Sequence, residues 1–342
     1  MIVSELFVNG LRNLENKHLL FNDKKNLIYG NNGIGKTSIL ESLFLLGFKK
    51  SFLNVSIRDI VNYKKHEFFI KAKIITDTKG IFELKGIFSK KKFNLFLSNK
   101  ETSIMEINNY YYPLFFSSSN YIQYIENNNL LRKLIDRFIF GLNTIYYSDL
   151  INYNRALKNK NYLLKTSFSK IELNSWNKVL SELVFEIMKK RIFFISKLNN
   201  ILKNFDKNME IIYIPSFSTN EFNSEKIYFE FENLKSKEII LKRTMKGTHI
   251  DKYTINKNNK NLKYFSSGEK KIGLLLIYIS FIELYNNTKN EYPVFFTDDF
   301  DTAIDKNNIE KILNNYPNLQ VISTSVNKND NFDKYINLGY IK

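Results

Sequence analysis

Eight residues, Gly30-Asn31-Asn32-Gly33-Ile34-Gly35-Lys36-Thr37, restrict this chain more than any other stretch, because they form a complete G-x-x-x-x-G-K-[ST] loop. The apolar run Leu27-Ile28-Tyr29 precedes the loop and reads as a buried strand, and Ser38 to Leu46 follows with good helix formers and no breaker. Strand, glycine loop and helix together predict a backbone that wraps a polyphosphate. The glycines let several N–H groups point inward, and the helix N-terminus adds partial positive charge. In such a loop Lys36 reaches the β- and γ-phosphates and the Thr37 hydroxyl holds Mg²⁺, with Ser38 next in line at the helix start. These residues predict binding of ATP or GTP.

Two later stretches complete the chemistry. Val294-Phe295-Phe296-Thr297 reads as a buried strand that ends in Asp298-Asp299, followed by Asp301-Thr302-Ala303-Ile304-Asp305. A carboxylate at a strand tip, Asp298, can complete the Mg²⁺ shell begun by Thr37. Its neighbour Asp299 can polarise an attacking water. Gln320 to Ser325 reads as a strand ending in hydroxyls, which places Thr324 to sense a γ-phosphate. Lys36, Asp298 and Asp299 are therefore the catalytic candidates.

Around these motifs the chain changes character twice. Strand-like runs at Glu67–Ile75, Ile81–Phe88 and Lys92–Leu97, separated by turn signals, predict an antiparallel meander. Tyr110 to Phe116 adds one more apolar strand. The interval 114–214 lacks proline, and Trp176, Leu180, Leu183, Ile187, Phe194 and Leu198 share one helical face. This predicts an inserted helical subdomain over 117–207, between the two parts of a nucleotide-binding domain at 1–116 and 208–342. Strand pattern returns at Glu210–Ile214 and Lys226–Phe231.

Composition adds a partner class. A net charge of +17 suggests a polyanion, nucleic acid before membrane. Asn, Lys and Ile crowd the whole sequence, so a compositional origin for the charge stays open. The absence of cysteine excludes disulfides, zinc–thiolate sites and thiol catalysis. No apolar run approaches the ~18 residues of a membrane span, and no signal-peptide pattern opens the sequence, so a cytoplasmic protein is expected.

Taken in order, the pieces resemble the ATP-binding-cassette ATPases of the chromosome-maintenance type, and within them the RecF family. Phe265-Ser266-Ser267-Gly268-Glu269 resembles their signature motif. Leu11-Arg12-Asn13, Phe115-Phe116-Ser117, Leu131 to Asp136 and Tyr153 to Asn161 resemble RecF segments, and Gly247-Thr248-His249-Ile250-Asp251 is similar to the family's Gly-Pro-His-Arg-Asp. The fold implied is α/β: an ABC-type ATPase head, with a P-loop mixed sheet and an antiparallel β meander, carrying the inserted α-helical subdomain.

The resemblance implies ATP and Mg²⁺ as cofactors and a homodimer closed by ATP. In that dimer Ser266, Ser267, Gly268 and Glu269 act on nucleotide held by the other copy. It places Asp301, Asp305 and Thr324 in the D-loop and switch, and marks His249 and Asp251 as further site residues. It implies weak, DNA-stimulated ATPase activity, binding to gapped or junction DNA, and RecO, RecR and a RecA-type recombinase as partners. An ABC-type ATPase coupled to a nuclease or defence effector is the alternative. Thr248 and Ile250 replace the family's Pro and Arg. Ser323-Thr324-Ser325 stands where transporter-type cassettes carry a histidine, and Asp299 where most cassettes carry Glu; both suggest slow hydrolysis.

Overall fold

The structure, a computed structural model, describes residues 1–166, 169–217, 223–299, 314–328 and 332–339. They fall into two compact units, 1–122 with 267–342, and 123–266. The second unit is wider than the helical interval 117–207 and takes in the strands and the helix that follow it.

The first unit contains β1 (Ile2–Asn9), β2 (Lys17–Leu20), β3 (Lys25–Tyr29), α1 (Lys36–Phe48), β4 (Phe68–Thr76), β5 (Gly80–Ser89), β6 (Lys92–Leu97) and β7 (Lys100–Thr102). After these come α2 (Ile104–Ile107), β8 (Pro113–Ser117) and α3 (Tyr121–Glu126), whose residues from Gln123 on belong to the other unit. In the meander the apolar side chains alternate as a one-faced sheet requires. Along β4, Phe68, Ile70, Ala72 and Ile74 are buried, whereas Lys71 and Lys73 face away. The antiparallel sheet runs β2-β1-β4-β5-β6-β7.

The second unit follows with α4 (Asn128–Leu142), α5 (Thr144–Leu163), α6 (Lys170–Phe205), β9 (Met209–Ile214), α7 (Ser224–Leu241), β10 (Lys252–Lys257) and β11 (Lys260–Asn261). The chain then returns to the first unit with α8 (Ser267–Lys289), β12 (Val294–Asp298), β13 (Val321–Ser325) and β14 (Lys334–Asn337).

A second sheet of the first unit, β14-β3-β13-β12-β8, is parallel throughout. Edge strand β14 is partly exposed, whereas β8, β12 and β13 are buried at every position, the usual condition inside a parallel sheet. Alternation along β8 shows how. Phe115 meets Phe44 of α1, whereas the next residue, Phe116, meets Tyr278 of α8. Helix α1 also packs on β1, β4 and β5, so it lies between the two sheets. That explains why almost every residue of α1 is buried, Glu41 included.

In the second unit, α6 packs on α5, α7 and β9. Its buried positions step by three and four: Leu173, Asn177, Leu180, Val184, Ile187, Arg191, Phe194 and Leu198. Trp176 and Leu183, which the sequence puts on the same face, are only half-buried. One sequence expectation is corrected here: Lys226–Phe231 belongs to helix α7. Ile227, Phe229 and Phe231 alternate like a strand, but Ile227 and Phe231 are buried one turn apart while Phe229 is exposed. The Asn223 side chain accepts from the Lys226 N–H and caps the helix. Helices α5 and α7 enclose an ion pair, Lys160 Nζ to Glu238 Oε2 at 2.7 Å, with both side chains fully buried.

Candidate nucleotide site

The carboxyl ends of β3, β13 and β12 lie side by side, the place where open parallel sheets form ligand sites. Register decides what meets there. Thr324 pairs with Ile28, one residue before the end of β3, and Ser323 pairs with Thr297, one residue before Asp298. The result is a continuous polar chain. Thr37 Oγ1 donates to the Asp298 carboxylate at 3.0 and 3.1 Å, and Thr324 Oγ1 donates to Asp298 Oδ1 at 2.5 Å. The Asp299 N–H donates to Thr324 Oγ1 at 3.0 Å, and Asp299 turns the chain with φ +53. Below this layer Thr297 Oγ1 donates to Ser323 Oγ at 2.8 Å.

The loop itself is held open by its glycines. Gly35 has φ +104, and a Cβ there would stand 2.7 Å from Leu14 Cδ2 and 2.9 Å from Asn13 Oδ1. Asn31, Asn32 and Gly33 are exposed at the loop tip, whereas Ile34 and Ser38 are buried beneath it. The Lys36 ammonium donates to the carbonyls of Gly30 at 2.6 Å and Asn31 at 2.9 Å, folded over the concavity that it would share with phosphate.

Asn13 braces the loop and Arg12 the helix behind it, roles their sequence does not reveal. Asn13 Nδ2 donates to the Gly33 carbonyl at 2.8 Å. Arg12 Nε donates to Glu41 Oε2 at 2.5 Å, and Ser51 Oγ donates to the same fully buried carboxylate.

The donor set fits a hard cation. Thr37 and Asp298 offer only oxygen, and Mg²⁺ is held by few protein oxygens with phosphate and water completing its shell. Burial raises the Asp298 carboxyl above its usual range, with the nearby Asp299 acting the same way and the Thr324 and Thr37 hydroxyls opposing. A bound divalent cation would reverse that trend. Asp301 and Asp305 lie outside the described residues. Ser266, Ser267, Gly268 and Glu269 are exposed where α8 begins.

His249 and Asp251 belong to the second unit and to a different network, centred on Arg191. Asp251 Oδ2 accepts from Arg191 Nη1 at 2.7 Å and from the Tyr213 hydroxyl, while its Oδ1 accepts from the Ser216 N–H at 2.8 Å. Arg191 also donates to both oxygens of Asp136 and to the Thr248 carbonyl. Gly247, φ +149, leaves room for the Tyr153 ring, since a Cβ there would stand 2.1 Å from its hydroxyl. Ile250, where RecF proteins carry Arg, is exposed. The sequence held one signal for Arg191: it lies seven residues from both Val184 and Leu198, a charged residue in an apolar stripe.

His249 Nδ1 lies 2.5 Å from the Tyr153 hydroxyl. Burial, then the charge of Arg132, lowers its pKa to about 4 from an ordinary 6.5. Between those values the unfolded chain holds the proton and the folded chain does not. The contribution of neutral His249 is thus complete above pH 6.5 and is lost as pH falls toward about 4. The urea midpoint of the natural chain is expected to fall more steeply from about pH 7 to about pH 4.5 than that of His249→Gln. Parallel curves would contradict a neutral, half-buried His249.

With this geometry in view, comparison with known proteins is direct. The family model described as RecF/RecN/SMC N terminal domain matches residues 2–334. A protein of Lachnospira eligens, named DNA replication and repair protein RecF, is 30% identical over 371 residues, covering 100% of this chain and 97% of that one. The chain belongs to the RecF family. Its fold is the ATPase head of that family. A solved structure described as the recombination mediator protein RecF-ATP in the RecFOR pathway matches with a TM-score of 0.89 at 25% identity, covering 96% of this chain and 92% of the other. An Smc head bound to the C-winged helix domain of ScpA matches with a TM-score of 0.53 at 13% identity, covering 95% and 90%, and shares the fold alone. Among the described residues no helix is long and apolar enough to cross a membrane.

Proposed function

We propose that this chain is an ATP-dependent DNA-binding protein of recombinational repair and replication-fork maintenance, a weak ATPase that closes as a dimer on gapped or junction DNA. The observation that carries the reading is the Asp298 carboxylate shared by the Thr37 and Thr324 hydroxyls, with Asp299 tied to the same Thr324. The first unit then bears the ATPase chemistry. The second is an insertion, in which the helices of 117–207 form the larger part.

Bound ATP and Mg²⁺ would supply the phosphoryl group to be cleaved. Lys36 would exchange its two carbonyl partners for phosphate oxygens, and Gly30 to Ser38 would line the nucleotide. Thr37 and Asp298 would hold the cation, and Asp299 would polarise the water. Thr324 would register the γ-phosphate, because its hydroxyl joins both carboxylate residues. Ser266 to Glu269 are exposed, as groups that act on a second copy's nucleotide must be. ATP would thus join two copies head to tail, and its slow loss would open them. RecO, RecR and a RecA-type recombinase are the partners this reading implies, with the cytoplasm as its location.

The test is binding to single-stranded, duplex and gapped DNA with ATP, ADP or no nucleotide, at two salt concentrations. ATP is expected to tighten binding to the gapped duplex, and Lys36→Met and Ser266→Arg to lose that gain. Binding that ignores nucleotide and falls uniformly with salt would count against the reading.

A further inference from the structure

The hairpin between β5 and β6 is built against its own turn chemistry. Lys90 and Lys91 are its two central residues, and both have positive φ, +49 and +64. A two-residue turn of that shape favours Asn-Gly or Asp-Gly, because a side chain bearing a Cβ is strained there. The other two-residue hairpins carry Asn at one or both central positions. The hairpin between β10 and β11 turns on Asn258 and Asn259, and that between β6 and β7 on Ser98 and Asn99. A chain rich in both Asn and Lys has placed lysines where Asn would relieve strain. Strain retained at a surface turn points to a function for the side chains.

Sheet register shows what else stands at that end of the meander. Phe88, which precedes the turn, pairs with Phe68, and Phe69 beside it pairs with Asn9. The segment before β4 is fixed there. The Asn62 N–H donates to the Gly10 carbonyl at 2.8 Å, and Lys65 Nζ donates to Asn9 Oδ1 at 2.7 Å. Lys64 is exposed and lies 5.5 Å from the ring of Tyr63, itself 88% exposed. Lys90, Lys91 and Lys92 are exposed as well; the acidic residues on the Lys64 segment are Glu67 and, through Asn62 Nδ2 at 3.4 Å, Glu15. Exposed cations at one end of a sheet, with an exposed aromatic among them, are what a nucleic-acid backbone and an unstacked base require.

We propose that this end of the meander, Lys64 and Lys90 to Lys92 with Tyr63 beside them, is a DNA phosphate-contact site. The inference rests on the DNA-binding reading above and adds its location. The contacts go to phosphate and carry no sequence preference.

The decisive variant is Lys90→Asn with Lys91→Gly, which installs the favoured turn while removing two charges. It is expected to melt at the same temperature as the natural chain or higher. Its affinity for DNA should fall about tenfold, and the slope of log affinity against log salt should flatten by about two. Lys189→Gln with Lys197→Gln, on the exposed face of α6, removes equal charge and should leave both quantities nearly unchanged. Duplex and single-stranded probes separate the two sources of phosphate, and Tyr63→Ser should weaken only the single-stranded arm. If the natural chain binds neither probe, the DNA reading itself fails. If it binds and the turn variant binds equally, with the same salt slope, the site is elsewhere and the DNA reading stands.

Discussion

Arg191→Met is expected to lower unfolding free energy by about 3–5 kcal/mol, the largest stability effect of any single substitution in the second unit. Arg191 is 1% exposed, at the middle of α6, and its guanidinium is the common partner of Asp136 and Asp251. Burial alone would lower its pKa, but the charge of Asp136 and the surrounding tyrosine oxygens outweigh that and hold it raised. Methionine fills similar volume, so the loss would come from two carboxylates left without their cation rather than from a cavity. Lysine should recover little, because one ammonium cannot serve both carboxylates as a planar fork does. Adding Asp136→Asn and Asp251→Asn to Arg191→Met should restore much of the loss. Urea unfolding of the four proteins measures this, and a loss below about 1 kcal/mol for Arg191→Met would contradict the network's importance.

The largest effect on activity is expected at Asp299. Asp299→Asn should reduce ATP turnover by about 10²-fold or more, the usual scale for a lost general base, while ATP binding persists. The side chain keeps its size, and the backbone N–H bond to Thr324 is untouched. Asp298→Asn should behave differently. It removes a ligand charge beside Thr37, so Mg²⁺-dependent nucleotide binding should weaken together with turnover. Phosphate release and binding of a fluorescent ATP analogue separate the two, and unchanged turnover in Asp299→Asn would remove it from the chemistry.

The sequence was most legible where function is contiguous. The phosphate loop, its strand and its helix are one run of chain, and the spacing alone foretells the positions of Lys36 and Thr37. Asp298 was legible because a carboxylate that ends an apolar strand has few structural reasons to be there. Thr324 could be named but not placed, since its hydroxyl meets Asp298 only through the parallel register of β12 and β13. Lys226–Phe231 reads as a strand in the sequence because Ile227, Phe229 and Phe231 satisfy the strand period, whereas the helix signals, the Asn223 cap and Glu225 in the first turn, lie just before that run. His249 and Asp251 could not be understood from their own motif. Their partners, Tyr153, Arg191 and Tyr213, come from distant segments that only packing brings together.

The central claim, that ATP joins two copies through Ser266, is most directly tested by sedimentation of Asp299→Asn with ATP and Mg²⁺. With hydrolysis blocked, a dimer is expected that forms with ATP, does not form with ADP, and is abolished by adding Ser266→Arg although ATP still binds. A dimer equally populated without ATP, or one indifferent to Ser266→Arg, would contradict it.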